Sequence, residues 1–351
     1  MDRFVVIYMN YRPYFKYNTN IVNNLAEISS AREVIMRSRL VPADDLILKN
    51  SAIEKAAHSS TAIEGNPLTP QQVNQLFKGE NVVAAEKAKK EVLNYLNVLK
   101  NIDNYHKNGK ISLKNILEIH KDISNEVLDR PECEGKFREN RVVVSNKIRG
   151  TEYHPPRYSE IPELVQSFLK WFNSDLDFHP VIIAGIAHYE FVRIHPFVDG
   201  NGRTARALAT LILYIKKFDI KRYFALDEYY DVDRNAYELA LQSADVTEDL
   251  TEWLEYFVKG VLVSILKVKE IVVRLSSEMQ RTEDAGQVAL TEKQREIVMY
   301  LQENGTIANK DIQKMFDITS QAALKIINNM LKDDVIEKEG SGPGTHYILK
   351  N

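Results

Sequence analysis

A histidine, a carboxylate, a Gly-Asn-Gly triplet and two arginines fall within one run of twelve residues, His195-Pro196-Phe197-Val198-Asp199-Gly200-Asn201-Gly202-Arg203-Thr204-Ala205-Arg206. Together they are the parts a phosphate-handling site needs. Pro196 and the glycines at 200 and 202 are poor helix formers, so 195–202 reads as a loop and the Ala/Leu-rich stretch from Arg203 onward as a helix. Such a loop delivers a helix N-terminus, whose free N–H groups and positive dipole end attract an anion, and glycine lets the backbone approach a phosphate closely. Arg203 and Arg206, three apart, share a helix face and can hold neighbouring phosphates by forked hydrogen bonds. Asp199 offers hard oxygen to Mg²⁺. His195, whose ordinary pKa is about 6.5, suits the removal of a proton from an attacking hydroxyl.

Several elements must hold this run in place. Apolar residues recur at helical spacing over 25–39 and 42–60, and the second stretch continues to Ile63 and Glu64 before Gly65 and Pro67 stop it. A carboxylate at a helix C-terminus opposes the dipole, so Glu64 stands at a small cost unless something else uses it. Thr69 and Pro70 open a further helix, 84–105 is long and amphipathic, and Ser112 caps 113–126, in which His120 reads as a packed helix histidine. Residues 141–144 and 148–153 flank the polar turn 145–147 as a hairpin. Helices follow at 161–173 and 180–194; the latter directs Ala184, His188, Phe191 and Val192 inward, with His188 a core residue rather than a metal ligand for want of a third ligand nearby. Further helices span 234–244 and 261–281, and 282–287 is a polar break.

The run 195–206 resembles the signature of the Fic family at every defined position. That resemblance implies transfer of AMP from ATP to a hydroxyl of a protein target, with release of pyrophosphate. It implies His195 as the catalytic base, Asp199 as the Mg²⁺ ligand and Gly200 to Gly202 as the anion hole. Arg203 and Arg206 would hold the distal phosphates, Thr204 and Ala205 would complete the nucleotide-binding stretch, and Phe197 would anchor the loop in the core. Tyr237 matches a tyrosine of the adenine pocket, whereas Asp245 stands where relatives often carry asparagine. Ser60-Thr61-Ala62-Ile63-Glu64-Gly65 resembles the family's inhibitory motif, which implies that Glu64 pairs with Arg206, with Ser60 as its second defined residue. An exposed ion pair contributes only about 0–1 kcal/mol, whereas switching a site from mostly on to mostly off takes about 5 kcal/mol. Glu64 must therefore be held inside the phosphate pocket by the packing of its helix. The hairpin at about 137–154 resembles the family's flap, which pairs with the target backbone by strand addition. Removal of AMP with Glu64 orienting a water, and a winged-helix regulator whose Fic domain senses nucleotide, are the alternatives.

The expected class is mainly α: a Fic-type helical core with a β-hairpin flap, an N-terminal helical region and a C-terminal winged helix-turn-helix. The corresponding spans are 1–105 with the inhibitory helix, 106–262 for the core, 263–288 as a helical linker and 289–351 for the winged helix. In that last span, 292–304, 309–316 and 320–332 read as helices, and 335–338 and 346–349 as paired strands. Its Lys and Arg number eight against nine acids, which is not the footprint of a phosphate-backbone binder, so docking or dimerisation is expected over DNA binding. Tight binding of random duplex with a steep salt slope would reverse that. The chain of 351 residues carries a net charge of −3, which excludes a global pull toward nucleic acid or anionic membrane. One cysteine, Cys133, permits no internal disulfide and fits a reducing cytoplasm. The apolar start, 1–9, reads as a strand or packed arm and not as a signal peptide. Partners are a protein target, a second copy as a homodimer, the chain itself as a self-modification substrate, and no membrane.

Overall fold

Among the described residues of the computed structural model, 11–146, 151–174, 176–219, 221–284, 290–333, 335–340 and 342–350, helix dominates and strand is confined to two short ribbons. The apolar start 1–9, the hairpin tip 147–150 and positions 285–289 of the polar break lie outside these residues. The helices are α1 (Thr19–Arg37), α2 (Pro42–Ile63), α3 (Pro70–Phe77), α4 (Glu86–Lys100) and α5 (Leu113–Ser124). After the ribbon β1 (Val144–Asn146) and β2 (Thr151–Tyr153) come α6 (Ile161–Phe172), α7 (Pro180–Ile194), α8 (Asn201–Ile215), α9 (Asp227–Val232), α10 (Arg234–Thr247) and α11 (Thr251–Asp284). Last come α12 (Glu292–Asn304), α13 (Asn309–Phe316), α14 (Ser320–Lys332), β3 (Ile336–Glu339) and β4 (His346–Leu349). The chain is mainly α, as its periodicities indicate.

Two compact units emerge, one formed up to Glu33 with Lys49–Val268, the other by Val34–Leu48 with the chain from Lys269 onward. In the first, α7 is buried along its whole length from Val181 to Phe191, the mark of a helix surrounded by others. Pro180 and a His179 side chain accepting from Val181 N–H start it. Its principal neighbour is α8. Gly185 lets α11 close against it: a Cβ there would lie 2.8 Å from Leu254 Cδ2, and Trp253 Nε1 donates to the Gly185 carbonyl at 2.8 Å. The expected helix at 261–281 is therefore the later part of a longer one that begins at Thr251. Capping boxes at Thr69/Gln72 and Ser112/Asn115 fix the starts of α3 and α5.

In the second unit, α12–α14 and the antiparallel β3–β4 ribbon make a winged helix-turn-helix around Ile297, Ile312, Ile327, Met330 and Tyr347. Ile307 joins the ribbon through paired backbone bonds with Tyr347. The flap differs from its expected register. Val144 pairs with Tyr153, Ser145 with Glu152 and Asn146 with Thr151, so Ser145 and Asn146 extend the first strand rather than form the turn. An isolated two-stranded ribbon buries little of either face, and polar residues there pair as readily as valines.

Candidate active site

Helix α7 ends at Ile194, and His195 takes a left-handed conformation, φ 49° and ψ 59°, that turns the chain out of the helix. Its Nδ1 lies 3.3 Å from the Val192 carbonyl. A carbonyl only accepts, so this contact assigns the proton to Nδ1 and leaves the Nε2 lone pair to take a proton from elsewhere. Burial lowers the His195 pKa to about 4; the Val192 carbonyl opposes this and the Arg138 charge adds to it. The imidazole is thus a neutral base across the physiological range. A pH–rate profile should show a plateau that holds through pH 6.5, where an ordinary histidine has lost half its base form, and falls only toward the folded pKa of about 4. A limb at 6.5 would exclude this ring as the base.

The loop that follows is clamped from within. Phe197 N–H donates to Asn201 Oδ1, and Asn201 Nδ2 donates to the Phe197 carbonyl, each at 2.9 Å. Phe197 is fully buried and stacks on His120 with ring centroids 3.6 Å apart. Gly135 N–H donates to His120 Nδ1 at 3.0 Å, which leaves Nε2–H to donate to the Asp199 carbonyl at 3.0 Å. Burial lowers the His120 pKa to about 4 and keeps that tautomer neutral.

Helix α8 begins at Asn201, two residues earlier than expected, with Gly200 at φ 76° as its N-cap. Glycine and asparagine are tolerated in a first turn, whose N–H groups have no helical partner. The N–H groups of 201–203 therefore face the space in front of the helix. Arg203 is 2% exposed; its Nε and Nη1 have no hydrogen-bond partner, while Glu91 and Asp199 stand 3.8 and 3.6 Å away. A buried guanidinium with spare donors is poised for an anionic ligand. Arg206 is equally buried, with Nε on Ser60 Oγ at 2.7 Å and Nη2 on the Ser60 carbonyl at 2.8 Å and on Glu64 Oε1 at 2.7 Å. Asp227 on α9 lies 3.5 Å from the same Nε and accepts from Tyr95.

Glu64 follows α2 directly, and its carboxylate sits against the first turn of α8: a Cβ on Gly202 would meet Oε1 at 2.3 Å. Burial acts to raise its pKa, but Arg206 and then Arg203 outweigh burial and the carboxyl lies below its usual value. It is a charged group in the position of an anion at a helix N-terminus. The end of α2 is fastened by Asn66, whose Nδ2 donates to the Ala88 carbonyl at 2.9 Å and to Glu91 Oε2 at 2.8 Å.

Three further expected site residues are buried beside the two arginines. The Thr204 hydroxyl is spent on the Gly200 carbonyl at 2.8 Å, and Ala205 is fully buried. Helical periodicity turns both inward between Arg203 and Arg206. Tyr237 is 4% exposed, stacked on Tyr230 at 4.5 Å, with its hydroxyl 2.8 Å from His188 Nε2 and beside the Arg206 guanidinium. His188 is a buried core histidine. Asp199 is 57% exposed at the loop's lip. Among the described residues no three His, Cys, Asp or Glu gather to hold a metal. One exposed carboxylate, Asp199, would suit a Mg²⁺ held mainly by phosphates and water.

Arg138, His120 and Asp227 were not singled out as site residues from the sequence. Their contacts span 57, 79 and 21 positions and two of them go to backbone carbonyls, which leave no mark in side-chain spacing.

The Fic/DOC family profile matches residues 110–213, and a profile described as winged helix-turn-helix DNA-binding matches 290–337. The curated protein adenylyltransferase Fic of Drosophila erecta is 34% identical over 170 residues, and that of Drosophila melanogaster 35% over 177. Each match takes in 47% of this chain and 33% of the relative, so the chain spans about a third of the length of these curated relatives. A Fic family protein from Desulfovibrio desulfuricans G20 has the same fold, with TM-score 0.65 at 22% identity over 97% of this chain and 98% of that one. Fic-1 from C. elegans gives 0.58 at 24% identity, covering 75% and 73%.

Proposed function

Since residues 110–213 are a Fic/DOC-family domain and the chain ends in a winged helix-turn-helix, we propose that this protein is an adenylyltransferase held in check by Glu64. The observation that carries the reading is the His195 imidazole, its Nδ1 3.3 Å from the Val192 carbonyl, placed one loop away from a helix N-terminus that two buried arginines flank. In the reaction, Nε2 takes the proton of a target hydroxyl, whose oxygen bonds to the α-phosphorus of ATP as the bond from that phosphorus to the β-phosphate bridge breaks. Pyrophosphate leaves. The first-turn N–H groups of α8 and the guanidinium groups of Arg203 and Arg206 bind the phosphates and stabilise the charge that gathers as the bond breaks. Mg²⁺ at Asp199 would neutralise phosphate charge. The protein names of the Drosophila relatives support the same chemistry.

Helix α2 gives the inhibition its form. The Glu64 carboxylate neutralises Arg206 and takes the space in front of Gly202, so a γ-phosphate entering there meets a like charge and an occupied site. Because the carboxyl pKa is lowered, acidification within the physiological range leaves the block in place. The β1–β2 ribbon is read as the surface that adds a target strand, and the winged helix as a module that docks protein or a second copy. Incubation with lysate and ATP labelled at the α-phosphate should mark protein, whereas ATP labelled at the γ-phosphate should not. Label arriving from the γ-position would make this a kinase and overturn the reading.

A further inference from the structure

Arg138 lies between the ribbon and the catalytic loop, 3% exposed. Among the described residues its side chain donates to three carbonyls: Nε to His195 at 2.8 Å, Nη1 to Asn140 at 2.9 Å and Nη2 to Pro156 at 2.6 Å. Its own N–H donates to the Pro196 carbonyl at 2.9 Å. Asn140 precedes the first ribbon strand and Pro156 follows the second, so one planar group grips both stems of the hairpin and the backbone of the base. Among the described residues no carboxylate pairs with it. A buried guanidinium without a counter-ion is costly, and three carbonyl dipoles compensate it only while all three are held in the plane of the fork. Tyr153 adds a second tie, its hydroxyl donating to the Arg193 carbonyl at 2.9 Å.

We propose that Arg138 is the positioning residue that fixes the flap relative to His195, so that a target strand laid on the ribbon presents its hydroxyl at Nε2. The role rests on the adenylyltransferase reading for its chemistry but not for its geometry. Held at both stems, the ribbon has one distance and one angle to the imidazole; released, it keeps its own pairing and loses that relation. The charge has a second effect, since it adds to the burial that disfavours protonation of His195, against the Val192 carbonyl, Glu64 and Asp199, which favour it; in the Glu64→Gly background only the carbonyl and Asp199 remain opposed. Lysine retains the charge with a single head that cannot span three carbonyls. Glutamine loses both.

The test compares full-length Glu64→Gly with the same chain carrying Arg138→Lys or Arg138→Gln. Both variants should label lysate protein from α-labelled ATP at least about tenfold more slowly, the usual effect of losing a charge-assisted hydrogen bond, with ATP affinity unchanged. Amide exchange should quicken in 139–146 and 151–157 and stay unchanged in α7 and α8. The acid limb of the labelling rate should move toward pH 6.5 in the glutamine variant and stay put in the lysine variant, a split that loss of fold alone cannot give. Parental labelling in both variants, or exchange that rises equally throughout the domain, would overturn the proposal. If Glu64→Gly itself labels nothing, the transferase reading has failed, and the clamp stands or falls on the exchange pattern.

Discussion

Replacing His195 with alanine is expected to lower AMP transfer by about 10²- to 10⁴-fold, the range a positioned general base contributes, while ATP binds as before. Binding should survive because none of the phosphate contacts uses the imidazole: the first-turn N–H groups of α8, Arg203 and Arg206 remain. The loop should survive because its ties are to backbone, through Arg138 to the carbonyl of residue 195 and through Asn201 to Phe197. The left-handed φ of 49° at this position tolerates asparagine better than alanine. His195→Asn is therefore the control for backbone strain and should be equally inactive. Single-turnover labelling beside an equilibrium measurement of ATP affinity separates the two effects. Full activity in either variant excludes His195 as the base.

How far the sequence carried depends on what each feature is made of. The winged helix was legible almost to the residue because its boundaries are local: Thr291 and Gln294 form a capping box, Gly305 at φ 76° ends α12, and Thr319 caps α14. The loop before α8 was legible for a similar reason, since His195, Asp199, Arg203 and Arg206 are separated by four, four and three residues, spacings that one loop and one helical turn convert directly into proximity. Spacing does not say where the Thr204 and Ala205 side chains go: the hydroxyl bonds the Gly200 carbonyl and the alanine is fully buried. Adjacent positions in a motif share a sequence neighbourhood but not a helix face. Tyr237, assigned to the nucleotide through its helix, packs in the aromatic cluster with Tyr230 and Trp253 and also reaches Arg206. The ribbon's register was beyond reach because its one described apolar pair, Val144 with Tyr153, is only half-buried and polar residues fill the rest of both strands. Arg138 looked like an ordinary charged residue before a hairpin, and only the folded chain shows three carbonyls converging on it.

Substituting Glu64 with glycine is expected to raise AMP transfer by about 10²-fold, the gain when a site that is competent about one time in a hundred becomes mostly competent. The size follows from where the carboxylate sits. A surface Glu–Arg pair contributes at most about 1 kcal/mol, too little for such a switch. Here Arg206 is buried and Asn66 holds the end of α2 to α4, so the carboxylate combines charge pairing with occupation of the space beside Gly202. Removing one partner of a buried pair ordinarily strands the other charge at a cost of about 3–5 kcal/mol. Arg206 avoids this, because Ser60 accepts two of its hydrogen bonds and Asp227 stands 3.5 Å from Nε. The arginine should therefore stay aimed at the vacated position and accept a phosphate there. Glycine relieves a carboxylate at the C-terminus of α2, but the lowered pKa marks a net favourable setting for the charge, so thermal stability should fall modestly while transfer rises. The rate of labelling from α-labelled ATP, measured against wild type, decides the matter. The gain must vanish in a Glu64→Gly, His195→Ala double variant, since the block and the base act on the same step. A single variant no faster than wild type would remove autoinhibition from the account.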